Sequence, residues 1–284
     1  MPRRGALVLV ATPIGNLGDL SPRTVAELRN ADVIAAEDTR RTRQLLTHAG
    51  VPARGRLIAV HEHNEAKMAR RIVDEVRLAR RVAYVTDAGM PGISDPGARL
   101  VRACVEAGLP VEVVPGPSAV LAGLVVSGFA TDRFVFEGFL PRKGKDRAGR
   151  LEALVAEPRT VVLFEAPSRL AATMTDLAQA LGPERAVALV RELTKIHEEV
   201  WRGTLGECVA GLPVEARGEI VIVLAGAVSP AVTDGAVRDA VVEAMDAGAS
   251  ARDAAAAVAK RLGIAKRRAY ESAVTTKTKK TRPQ

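Results

Sequence analysis

Hydrophobic and polar positions change texture in a regular way along the first half of the chain. Short aliphatic, mostly β-branched runs fall at residues 7–10, 33–36, 57–60, 82–86 and 111–114. Between them, residues 64–80 and 98–107 carry apolar positions at helical spacing. Strand and helix taking turns predict βα units and a mainly parallel sheet. Residues 117–127 read as an apolar helix that opens after Pro115-Gly116, with a proline near its first turn.

A second block starts near Thr131. Its strand candidates are residues 134–136, 161–164, 186–191 and 220–224, with 201–204 as a hairpin partner of 186–191. Helices fit at 147–156 and 168–181, and FLPRKG at 139–144 reads as a linker. After Gly226, Ala and Asp become common, and residues 248–274 read as two short helices around Gly263. That is the layout of a helix-turn-helix or of a small helical cap. The expected fold class is α/β, with two α/β domains at 1–118 and 119–228 and a small helical, basic C-terminal segment at 229–284.

Composition narrows the function classes. Apolar residues are 48% of the 284, enough for a sizeable core, but aromatics are only 3%, so stacking platforms for bases are not expected. Cys104 and Cys208 lack CxxC spacing and read as buried thiols of a reducing cytosol. The opening run MPRRGALVLVATP breaks at Pro13 and feeds a strand pattern, so no signal peptide is read there. The longest small-and-apolar stretch, 119–130, is too short to span a bilayer, and a cytoplasmic location without membrane contact is expected. The net charge of +8 is a C-terminal feature: residues 260–284 hold nine basic side chains against Glu271 alone. Such a tail suits a polyanion, though charge alone also fits a solvated end. Lys266, Arg267 and Arg268 would line the second helix of the pair.

In a parallel sheet, ligands bind beyond the carboxyl ends of the strands. Seven segments at strand ends stand out. TPIGNLGDLS at 12–21 has neither GK[ST] nor GxGxxG, so phosphate-loop and dinucleotide readings fail. Ser21 and Pro22 there suit a helix start. AEDTRRTR at 36–43 sets Glu37 and Asp38 before Arg40, Arg41 and Arg43; Asp38 also fits a helix cap. Arginines in a first turn oppose the helix dipole, which favours an external anion such as phosphate. HEHNE at 61–65 is not HExxH, and no further His or Cys motif completes a site, so no metal is expected. DAGMPGISDPG at 87–97, VPGPSA at 114–119, FEAPSR at 164–169 and RELTKIHEE at 191–199 complete the set. The 87–97 loop offers two carboxylates and small residues rather than a lysine. It suits a bulky ligand with amine, hydroxyl and cationic groups better than a phosphate.

These motifs, in this order, resemble the ribosomal RNA small subunit methyltransferase I family of the tetrapyrrole methylase superfamily, over roughly residues 5–225. The resemblance implies two α/β domains of the class III methyltransferase type with S-adenosylmethionine held between them, and a homodimer. It implies 2′-O-methylation of a cytidine ribose in the decoding region of 16S rRNA, with the 30S subunit as partner. By position, Pro13, Asp87, Ala88, Gly89, Ile93, Ser94, Ser118 and Ala119 would form the cofactor site, with Phe164 and Arg191 from the second domain. One departure is Ser168, where the family pattern carries histidine.

Methyl transfer requires the ribose oxygen about 3 Å from the methyl carbon, opposite the sulfur. A general base would assist; Glu37, Asp38, His61 and Glu165 are candidates, and Asp38 is preferred because it ends a strand beside arginines. Arg40, Arg41, Arg43, Arg142, Lys143, Lys145 and Arg169 would serve RNA phosphates. A sister enzyme acting on a small molecule or protein, and a non-catalytic RNA-binding protein, remain alternatives. The former usually carries a GPGD-type first loop that is missing here.

Overall fold

The computed structural model describes residues 5–53, 55–211, 217–227 and 233–280, the last five of these as backbone only. The chain divides into two compact units, Met1–Ala227 and Val228–Gln284.

The first unit opens with a five-stranded sheet. Strands β1 (Ala6–Val10), β2 (Val33–Ala36), β3 (Leu57–Ala59), β4 (Arg81–Val85) and β5 (Val111–Val114) lie in the order β3-β2-β4-β1-β5. Every pairing is parallel, as the alternating texture predicts. Helices α1 (Pro22–Asn30), α2 (Thr39–His48), α3 (Glu65–Arg77) and α4 (Ala98–Glu106) cover its two faces. Successive strand residues point to opposite faces. Val8, Val10 and Ile34 therefore pack with Leu28 of α1 and Leu46 of α2. Leu7, Val82 and Tyr84 pack with Ile72 of α3 and Leu100 of α4 on the other side. Each such fully buried aliphatic side chain contributes roughly 1.5–3 kcal/mol. The chain leaves β1 towards β2 but leaves β4 towards β5, on the far side of β1. The carboxyl ends of β1 and β4 thus flank a topological switch point, where open α/β sheets bind ligands.

The second sheet holds β6 (Phe134–Phe139), β7 (Thr160–Glu165), β8 (Ala186–Arg191), β9 (Glu199–Thr204) and β10 (Ile220–Leu224), in the order β6-β7-β10-β8-β9. Only β6 and β7 are parallel; the other three pairings are antiparallel, including the β8–β9 hairpin. β6 runs three residues beyond its expected end. Its register shifts between Phe136 and Gly138, where Gly138 takes φ +64°, and a bulge lets pairing resume through Phe139. Helices α6 (Gly144–Val155), α7 (Leu170–Leu181) and α8 (Leu205–Gly211) pack on one face through Leu154, Met174, Leu177 and Leu205. The other face receives α5 (Ala119–Ser127), whose Val120 and Leu124 meet Val162, Val190 and Val221. Ile14, from the loop after β1, joins that same cluster. Cys104 and Cys208 are buried free thiols.

The second unit is a three-helix cluster rather than a pair. α9 (Asp234–Asp246) precedes α10 (Ala251–Leu262) and α11 (Lys266–Lys280), and Val237, Val241, Ala255, Val258, Ala269 and Ala273 form their core. Thr233 and Ser250 cap α9 and α10 by accepting from the backbone N–H groups of Ala236 and Asp253. Among the described residues, no helix is long and apolar enough to cross a membrane.

Candidate functional site

The loops after β1 and β4 are tied together at the switch point. Thr12 and Gly89 exchange two backbone hydrogen bonds, N–H to O at 3.0 and 3.1 Å. The buried Thr12 hydroxyl donates to the Thr86 carbonyl at 3.3 Å. Gly89 adopts φ +74°, a conformation that side chains rarely tolerate, and an added Cβ would meet Ile14 Cγ2 at 3.4 Å. Farther on, Ser21 Oγ accepts from Thr24 N–H at 3.0 Å and starts α1, with Pro22 as its first residue.

Between these loops and the second sheet lies a cavity of about 370 Å³. That is within the usual range for small-molecule sites. Of the expected cofactor residues, Ala88, Gly89, Ile93, Ser94, Ser118, Ala119 and Phe164 stand in its wall. Three do not. Pro13 is buried beside Ile14, which takes the wall position instead. Asp87 turns its carboxylate to Arg41, 3.4 Å away. Arg191 pairs with Glu199 at 2.7 Å. The wall also contains Met90, Asp95 and Ala166, from the strand-end loops 87–97 and 164–169, and Phe139 and residues 218–221, which lie outside those loops. Residues 218–221 escape the strand-end rule for a physical reason. β10 is antiparallel to β7 and β8, so its beginning lies where their ends lie, with Ile220 opposite Glu165 and Arg191.

Among the described residues, the charged side chains in this wall are Asp95, Glu165 and Glu219, with no Lys, Arg or His. Burial first, then the charges of Glu37, Asp87 and Glu219, raises the proton affinity of Asp95 to a pKa of about 7. Such a cavity favours a neutral or cationic ligand over an anion. Glu165 is 2% exposed and fully engaged. It accepts from Ala166 N–H at 2.8 Å and the Thr173 hydroxyl at 2.5 Å, and Arg169 Nε lies 3.2 Å away.

The carboxylates after β2 differ sharply. Asp38 accepts from Arg40 N–H at 2.7 Å, capping α2, and its second oxygen meets Arg40 Nη2 at 2.9 Å. Those bonds to Arg40 lower its pKa to about 2. Glu37 is raised from its ordinary value, chiefly by burial, and accepts from Asp87 N–H at 3.3 Å. Neither lines the 370 Å³ cavity.

The HEHNE segment builds structure. Asn64 accepts from His61 N–H at 2.9 Å and donates to the Ala59 carbonyl at 3.1 Å. Buried Glu65 accepts from Gly97 N–H and Arg99 N–H, both at 2.9 Å, and so holds the end of the 87–97 loop. Among the described residues no group of three His, Cys, Asp or Glu is disposed to hold a metal ion.

Of the expected phosphate contacts, Arg40, Arg41 and Arg43 are exposed on the start of α2, and Arg142, Lys143 and Lys145 are exposed at the start of α6. Arg169 is half-buried and donates to the Leu140 carbonyl at 2.6 Å. In the second unit, Lys266 is exposed, Arg267 lies 3.4 Å from Glu271, and Arg268 pairs with Asp234 at 2.7 Å.

Two α/β halves enclosing a cavity at their shared strand ends are the architecture of a class III methyltransferase. Residues 6–209 match the family described as Tetrapyrrole (Corrin/Porphyrin) Methylases. A uroporphyrin-III C-methyl transferase from Thermus thermophilus, complexed with S-adenyl homocysteine, has the same fold: TM-score 0.55, 23% identity, 78% of this chain and 96% of that one. "Ribosomal RNA small subunit methyltransferase I" of Synechocystis sp. is 44% identical, over 94% of this chain and 96% of its own length. Its namesake in Mycobacterium tuberculosis is also 44% identical, over 94% of both chains. The chain belongs to the tetrapyrrole methylase family and, within it, to the ribosomal RNA small subunit methyltransferase I family.

Proposed function

We propose that this chain transfers a methyl group from S-adenosylmethionine to the 2′-oxygen of a cytidine ribose in the decoding region of 16S rRNA. The observation that carries the reading is the cavity at the switch point, apolar on most sides and charged only by carboxylates. A sulfonium-bearing nucleoside suits those walls, and a phosphate-rich ligand does not. The names of the 44%-identical relatives support rRNA as the substrate. The S-adenyl homocysteine bound to a protein of the same fold supports the cofactor.

When bound, S-adenosylmethionine supplies an electrophilic methyl group for in-line displacement. The chain's own residues position and activate. Ala88, Gly89, Ile93, Ser94, Ser118, Ala119 and Phe164 form the wall, while Pro13 and Asp87 brace it from behind. Arg191, paired with Glu199, holds the β8–β9 edge and stays outside the wall. Of the two carboxylates after β2, Glu37 is the better-matched proton acceptor, because burial raises its proton affinity while Arg40 suppresses that of Asp38. Glu165, with its oxygens engaged, positions rather than accepts. The exposed arginines of α2, the basic start of α6 and the basic face of α11 serve RNA phosphates. A homodimer is part of the same reading. Its support is the exposed pair Leu121 and Val125, one turn apart on α5.

The test uses 30S subunits from a strain lacking the modification and S-adenosylmethionine labelled in the methyl group. Label recovered as 2′-O-methylcytidine supports the assignment. Label in a base, or none in rRNA, overturns it.

A further inference from the structure

A second cavity, of about 460 Å³, opens on the other side of the FEAPSR turn and shares Ala166 with the first. The two differ in chemistry. The second is walled by Arg142, Arg147, Ser168, Arg169, Thr173 and Asp176. Its floor is a closed network. Arg147, 9% exposed, donates to Asp176 at 2.8 Å, the Pro141 carbonyl at 2.9 Å and Thr173 Oγ1 at 3.1 Å. The Thr173 hydroxyl in turn donates a hydrogen bond to Glu165 at 2.5 Å.

Above that floor the donors are uncommitted. Arg169 spends Nε on Glu165 and Nη2 on the Leu140 carbonyl. Its Nη1, the Arg142 guanidinium and the Ser168 hydroxyl have no partner among the described residues. Three arginines face two carboxylates, Asp176 and Glu165, so the wall keeps a net positive charge. A tetrahedral oxyanion matches forked guanidinium and hydroxyl donors on a rigid base.

We propose that this arginine-walled cavity holds a phosphodiester of the RNA strand beside the nucleotide being methylated, with Arg142, Ser168 and Arg169 as its donors. The proposal rests on the rRNA reading above. The shared wall at Ala166 gives the cavity its role: an anion fixed there registers the neighbouring ribose against the first cavity. Phosphate contacts position the strand and do not read its sequence. Ser168 supplies a short neutral donor, which leaves Arg142 as the principal charge.

The test compares the full-length protein with Arg142→Ala, Arg142→Lys and Ser168→Ala, using 30S subunits and labelled S-adenosylmethionine. Arg142→Ala should raise KM for the subunit about tenfold and change kcat less. The slope of log affinity against log salt should shrink by about one. Arg142→Lys should restore much of the KM, and Ser168→Ala should give a smaller rise. Cofactor affinity by calorimetry should stay at the wild-type value. In wild type, ethylating the phosphate next to the target ribose should block methylation; in Arg142→Ala that sensitivity should fade. A wild-type KM and salt slope in Arg142→Ala would overturn the proposal. So would loss of cofactor binding in the same variant, because the residue would then act through the first cavity. If inorganic phosphate binds at Arg142 but ethylation has no local effect, the cavity is a free-anion site and the proposal fails. Absence of any rRNA label with the wild-type protein would bring down the rRNA reading itself, a result distinct from these.

Discussion

Gly15 in the loop after β1 lies against the stem of Lys195 in the loop after β8. A Cβ placed at Gly15 would approach Lys195 Cγ to 2.5 Å and the Leu193 carbonyl to 3.0 Å. Lys195 Nζ in turn meets Glu192 at 2.8 Å and Glu219 at 3.2 Å, and Glu219 lines the 370 Å³ cavity. Lys195 thereby helps to seat the first sheet's loop on the second sheet, beside the packing of Ile14. Gly15→Val should push Lys195 off both carboxylates at a cost of about 1–3 kcal/mol. Thermal unfolding should report that loss, and calorimetry should show weakened cofactor binding. An unchanged affinity would mean that this seat does not shape the cavity.

Asp95 makes the cavity pH-sensitive. Its ordinary value is 3.8 and its value in the folded chain is about 7, raised first by burial and then by Glu37, Asp87 and Glu219. The folded state therefore binds this proton more tightly than the unfolded state. Its stabilising effect is complete below about pH 4 and is lost as pH rises through 7. Asp95→Asn should flatten the fall of Tm between pH 5 and 8 relative to wild type. A cationic ligand favours the ionised carboxylate, so wild-type cofactor affinity should rise across that window. Parallel Tm curves for the two proteins would remove Asp95 from this role.

The network under the second cavity is a stability element. Arg147 is buried among Asp176, Thr173 and the Pro141 carbonyl. Arg147→Ala leaves those acceptors without their donor and should cost about 2 kcal/mol. Urea unfolding should show a lower midpoint at an unchanged slope.

The parallel sheet can be read from the chain because short aliphatic runs alternate with helical patterns such as 64–80 and 98–107. The paired burial of Leu7 and Val8 on opposite faces is that pattern realised. What local patterning misses depends on long-range pairing. The antiparallel return of β10 brings Gly218 and Glu219 to the cavity, although they stand before their strand rather than after it. α9 is Ala- and Asp-rich with little amphipathic contrast, yet Thr233 before Asp234 is a capping signal that marks its start. Asp38 shows why residue type alone misleads. Its place beside three arginines suits an acid–base role equally with a cap, and only the bonds to Arg40 distinguish them.

That distinction can be tested on the reaction. Glu37 and Asp38 are adjacent, but their environments drive them apart: burial raises the proton affinity of Glu37, and hydrogen bonds to Arg40 lower that of Asp38 to about 2. A proton acceptor works best when its pKa approaches the working pH. Glu37→Gln keeps an acceptor for the Asp87 N–H and removes the base, so kcat should fall about 10²–10⁴-fold with a smaller change in KM. Asp38→Asn keeps the α2 cap, since Asn serves there almost as well as Asp, and loses only the exposed pair with Arg40. Its kcat should stay near wild type. A collapse of kcat in Asp38→Asn with normal activity in Glu37→Gln would reverse the assignment, because the capped carboxylate would then be the one that meets the substrate.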